Sequence, residues 1–231
     1  NEAYILNNAN KDTKLWIVDN ADHGQTYALN KEEYEKRVLE FAYIKEFNRG
    51  QKDFLKEIEN ISKAKATSVI MVANPIEGEK TLNAVANMET PVSIFSHWGI
   101  VGGDFFENQK KNLERVDLKF IQSFSFTDNV SQKAKSLANK YIEKYSIESE
   151  ENIKAPAGVA QAYDAVYLLS QAIKQANSFD KEKVKKEIEN IQSYDGVIKS
   201  YKNPFSTQNH DALEKKDFFM AKFNKNGLIT K

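Results

Sequence analysis

The chain has 231 residues, and its 33 Lys and Arg balance 33 Asp and Glu to a formal net charge of zero. That balance lacks the basic excess with which nucleic-acid binders displace counterions from phosphates, so no nucleic-acid partner is expected. Cysteine is absent, which excludes disulfides and thiolate metal sites and leaves the compartment open.

The length suits one large domain or two small ones, with enough chain for a real core. Short apolar or β-branched runs at 15–18 (LWIV), 39–44, 68–73 (SVIMVA) and 92–95 (VSIF) read as strands buried on both faces. Between them lie helical patterns at 31–36, at 52–64 with Phe54, Leu55, Ile58 and Ile61 in step, and at 76–88 with Leu82, Val85 and Met88. Strands alternating with helices predict βαβ units and a parallel sheet, hence an α/β fold. A strand-like run follows at 118–126 (LKFIQSFSF), then three helical patterns at 129–145, 157–176 and 181–191. The basic stretches at 110–111 and 181–186 are interleaved with acids and read as solvated helix faces. Extended segments at 196–201 and 218–223 flank a polar stretch at 203–216, and Asn226-Gly227 is expected to form a tight turn. No run approaches the roughly 20 apolar residues of a membrane helix, and no signal-peptide pattern occurs in the sequence.

In an open parallel sheet, ligands bind beyond the carboxyl ends of the strands. Three loops qualify. After LWIV comes DNADHGQT (19–26), where His23 stands beside Gly24 and Asp19 and Asp22 can serve as caps. After SVIMVA come Asn74 and Pro75; Pro75 suits the first helical position, and Asn74 can cap, contact a ligand, or do both. After VSIF come Ser96, His97 and Trp98, followed by Gly99, Gly102 and Gly103. An indole there offers a wide apolar face and one N–H donor, suited to a planar or apolar ligand, unless it packs into the core.

Catalysis finds less support. The sequence has no GxSxG elbow, P-loop, HExxH or strand-borne GxGxxG. The three histidines, His23, His97 and His210, have no partners at metal-ligand spacing. No cofactor is expected, and an α/β enzyme is the weakest functional reading.

The run DNADHG, the unit VANPIEGEKTLNAVANM, the turn VSIFSHWG, the strand FIQSFSF, the helix APAGVAQAYDAVYLLSQAI and the closing DFFMAKFNKNGLI resemble type I periplasmic binding proteins. The closest group is the leucine/isoleucine/valine-binding family of branched-chain amino acid ABC transporters. The resemblance implies a two-lobed, Rossmann-like binder that closes on a small ligand, with 1–122 and 195–231 in lobe 2 and 123–194 forming the helical part of lobe 1. It implies that the chain corresponds to the carboxyl-terminal two-thirds of such a protein, in a periplasmic or other extracytoplasmic setting, with an ABC permease as partner. A sensor domain of a membrane receptor is the alternative. Family contacts carry over to His23, Asn74 or Pro75, and His97 or Trp98. The acid that commonly meets an amino acid's ammonium is replaced here by His97 and Trp98, which favours an aromatic, amide or other small organic ligand. The apolar stripes Ala134, Leu137, Tyr141 and Val166, Leu169, Ile173 are expected to pack on a sheet outside this sequence, to be rearranged, or to pair with another copy or a separate chain.

Overall fold

A computed structural model describes Tyr43, residues 45–127 and residues 130–231. The expected strands at 15–18 and 39–44, the expected helix at 31–36 and the loop carrying His23 lie outside the described residues, apart from Tyr43, which is in neither helix nor strand. The described residues divide into two compact units. The first runs up to Ile100 and adds Asp104–Phe120; the second comprises Val101–Gly103 and Ile121–Lys231.

In the first unit, helix α1 (Leu55–Lys63) leads to strand β1 (Ser68–Met71), α2 (Pro75–Ala86), β2 (Ser93–Ser96), a 3-10 turn beginning at Trp98, α3 (Phe105–Leu113) and β3 (Leu118–Gln122). All three strands are parallel, with Ile94 opposite Val69 on one side and Leu118 on the other. Parallel pairing is what the βαβ alternation predicts, because each helix returns the chain to the same end of the sheet. Leu82 and Val85 of α2, Ile94 of β2, Phe105 of α3 and Phe120 of β3 are buried, the inward stripe that a sheet-covering helix needs.

β3 carries the chain from the first unit into the second. The expected strand at 118–126 stops at Gln122. Phe124 and Phe126 then turn into the helical core, edge to face with ring centroids 4.9 Å apart. They pack with Ala134 and Ala138 of α4 (Gln132–Tyr145) and Ala157 and Ala160 of α5 (Pro156–Ala176). This corrects the expectation for the first apolar stripe: Ala134, Leu137 and Tyr141 pack on Phe124 and Phe126 within the same unit. The second stripe divides. Ile173 packs with Leu168 and Ala172 against Val184 of α6 (Lys181–Glu189), whereas Val166 is 63% and Leu169 44% exposed.

The extended segment expected at 196–201 is instead the turn and second strand of an antiparallel hairpin, β4 (Ser193–Asp195) with β5 (Ser200–Lys202). The carboxylate of Asp164, a lone acid on the buried face of α5, accepts hydrogen bonds from the backbone N–H of Val197 (2.7 Å) and Ile198 (3.0 Å) and from the Tyr201 hydroxyl (3.0 Å). Burial, and then the Asp164 charge, push the Tyr201 hydroxyl well above the usual tyrosine range. A second hairpin, β6 (Phe219–Phe223) with β7 (Ile229–Thr230), closes the chain. Its turn uses Gly227 at φ 86°, where a side chain would be strained, as the Asn-Gly pair leads one to expect. Among the described residues no helix is long and apolar enough to cross a membrane, and no His, Asp and Glu cluster could hold a metal ion.

Candidate functional site

The carboxyl ends of β1 and β2 lie side by side, because their parallel register pairs Met71 with Ser96. The Ser96 hydroxyl donates to the Met71 carbonyl at 2.8 Å and ties the two strand ends together. Loops leaving these ends therefore start from neighbouring points, and they carry four of the five residues singled out from sequence.

After β1, Asn74 is the exposed N-cap of α2, with extended backbone angles and no capping bond from its side chain. Pro75 follows in the first turn and is half-buried. Three residues past the cap, Glu77 turns inward: it is buried, and its Oε1 accepts the Gly50 N–H at 2.7 Å. That amide holds the Glu77 carboxyl below the ordinary glutamate range, with Arg49 adding a smaller effect. The Asn-x-x-Glu spacing is the sequence signal for a capping residue, but the partner at Gly50 could not be read from it. A folded-state value below the unfolded one, near 4.3, makes the contribution complete above that pH. It is lost as pH falls from there through the depressed value. Glu77→Gln is expected to flatten this acid-side loss, as read from unfolding midpoints between about pH 5 and pH 3.

After β2, the chain makes the 3-10 turn Trp98–Val101. His97 and Trp98 are both half-buried. The His97 ring folds back so that Nδ1 accepts the Gly99 N–H at 3.0 Å, which places the proton of the neutral imidazole on Nε2. The two rings lie edge to face with centroids 6.4 Å apart. Gly99 is required by this fold-back, since a Cβ there would stand 2.2 Å from His97 Cε1. Gly78 is required as well: a Cβ at that point of α2 would meet Ile100 Cγ1 at 2.9 Å. Ile100, fully buried, thus anchors the aromatic turn against the first turns of α2. Gly99→Ala is expected to drive His97 out of its position while leaving the far hairpins intact. Faster hydrogen exchange of the residue 99 amide than in the parent chain, with unchanged protection in β6 and β7, would register it.

His23 lies outside the described residues; Asn74 and Pro75 follow β1, and His97 and Trp98 follow the neighbouring β2. Sequence reasoning missed the support beneath them, namely the Gly78–Ile100 contact and the Ser96–Met71 bond.

A sequence model of the periplasmic binding protein family matches residues 24–227. Among solved structures, a leucine-binding protein LivK from Thermotoga maritima is 22% identical with a TM-score of 0.63, covering 80% of this chain and 49% of that one. A fatty acid ABC transporter substrate-binding protein from Thermomonospora curvata is 14% identical with a TM-score of 0.72, covering 98% and 60%. A solute-binding protein from R. palustris, in complex with benzoate, is 12% identical with a TM-score of 0.59, covering 80% and 47%. The chain therefore spans about half to three-fifths of the length of the solved structures it resembles. No curated protein matches it. With parallel βα units, a glycine-braced aromatic turn at their carboxyl ends and a family match over most of its length, the chain belongs to the periplasmic binding protein family.

Proposed function

We propose that this chain forms part of the solute-binding apparatus of an ABC importer, working outside the cytoplasmic membrane and handing a small organic solute to a permease. The observation that carries this reading is the turn after β2. There the imidazole accepts from the Gly99 amide and lies edge to face with a half-buried indole, in a turn whose Ile100 packs on the helix that the exposed Asn74 begins. Fixed aromatic surface with a few polar atoms is how small-molecule sites gain affinity and orientation.

In this reading Trp98 supplies apolar stacking surface, His97 and Asn74 supply polar contacts, and Pro75 shapes the loop, with His23 a further contact from the loop after LWIV. In the same reading, residues 1–122 and 195–231 form one lobe and 123–194 the helical part of the other. The solute carries an aromatic ring, an amide or a similar group. The stretch SHWGIVGG (96–103) holds no carboxylate, and a buried ammonium left without a counter-charge costs several kcal/mol.

The test is a thermal-shift screen with leucine, valine, aromatic acids and carboxamides. A shift from aromatic or amide solutes is the expected result. A clear shift from leucine or valine with none from the others would overturn the ligand assignment.

A further inference from the structure

An asparagine at a helix N-cap ordinarily accepts, through its side-chain oxygen, from the N–H two or three residues on. In an Asn-x-x-Glu segment the second of those donors is the glutamate's own amide. Asn74 has the extended backbone of a cap, and its carbonyl accepts the Gly78 N–H at 2.8 Å, yet its side chain makes no capping bond and the residue is exposed. Glu77 takes that role instead. Its buried carboxylate accepts the Gly50 N–H at 2.7 Å, and its own backbone N–H, a donor that Asn74 would ordinarily cap, donates to it as well. Gly50 belongs to a turn that the Gln51 N–H closes on the Asn48 carbonyl at 3.0 Å, so the carboxylate is held from outside the helix. A negative charge in the first turn also suits the helix dipole, which removes a further reason for Asn74 to turn inward.

We infer that Glu77 is a positioning residue: by occupying the donor that would otherwise hold Asn74 as a cap, it leaves the Asn74 side chain available to the solute, an inference that rests on the solute-binding reading above. A carboxamide that caps a helix spends its oxygen on the backbone. Released from that role it offers one acceptor and two N–H donors, enough to meet a carboxylate or a carboxamide without a counter-ion. Removing the oxygens of Glu77 frees the residue 77 amide, and the Asn74 oxygen then returns to it as in an ordinary cap. Asn74, Glu77 and Gly50 all lie in the first unit.

Glu77→Met, which keeps the length of the side chain without an oxygen, tests this in two arms, with Glu77→Ala as a second variant in both. The first arm needs no solute. In the parent chain Asn74→Ala is expected to leave the melting midpoint within about 1 °C, because no capping bond is lost, whereas in the Glu77→Met background it is expected to lower it by about 2–4 °C, the size of an ordinary asparagine cap. In the second arm, calorimetry with benzoate, benzamide, leucine and leucinamide is expected to show Glu77→Met losing about threefold to tenfold in affinity for whichever of them the parent binds, and losing no more when Asn74→Ala is added. Glu77→Gln, which keeps an acceptor oxygen, is expected to stay within about twofold of the parent. An equal fall of the midpoint on Asn74→Ala in both backgrounds overturns the proposal. Parent-like affinity in Glu77→Met, or a loss that persists undiminished on top of Asn74→Ala, overturns it too, and each of these results leaves the solute-binding reading intact. A parent chain that binds none of the four overturns both.

Discussion

Asp164→Ala is expected to destabilise the second unit by about 3–5 kcal/mol, the cost of leaving buried donors unpaired after an ionised acceptor is removed. Three donors converge on that one carboxylate: the amides of Val197 and Ile198 and the Tyr201 hydroxyl. Alanine strands all three where Asp164 itself is 2% exposed, so water does not simply take its place. The melting midpoint is expected to fall by about 10 °C or more, with the near-ultraviolet signal of Tyr194 and Tyr201 lost first. Those rings stack at 6.0 Å across the β4–β5 hairpin. Gly196→Ala approaches the same defect from the other side, because its Cβ would lie 2.5 Å from Asp164 Oδ2 and 2.6 Å from Tyr201 Cε2. Asp164→Asn, which keeps one acceptor oxygen, is expected to fall between parent and alanine. A loss below about 1 kcal/mol for the alanine variant would show that the hairpin does not depend on this carboxylate.

Trp98→Ala is expected to weaken solute binding about tenfold to a hundredfold, matching the roughly 1.5–3 kcal/mol of burying an aromatic side chain. The fold is expected to survive. Trp98 is half-buried, whereas Ile100, two residues on, is the anchor that packs on Gly78. Trp98→Phe retains an apolar ring and is expected to recover part of the affinity for aromatic solutes. Equal affinity in parent and alanine variant, measured by calorimetry on folded protein, would remove Trp98 from the site.

Much of the described part of the first unit was legible in the sequence because two periods differ so plainly. SVIM and VSIF are too short and too continuously apolar for an amphipathic helix, while Leu82 and Val85 mark the inward face of one. Strand ends then located the Asn74 and His97–Trp98 loops, since topology alone puts loops of parallel strands at one edge. The second unit was less legible where side-chain contacts override local pattern. Phe124 and Phe126 alternate as a strand would, yet they serve a helical core. Gly196 and Val197 read as the start of a strand, yet an acid 33 residues earlier bends them into a turn.

Calorimetric titration of this chain, and of Trp98→Ala beside it, with benzoate, benzamide, leucine and valine tests the central claim most directly. The chain spans about half to three-fifths of the length of the solved structures it resembles, so the titrations run to millimolar concentrations. The expected result is saturable binding of an aromatic or amide solute that the alanine variant loses. Folded chain that binds none of these solutes, or binds one equally well with and without the indole, would contradict it.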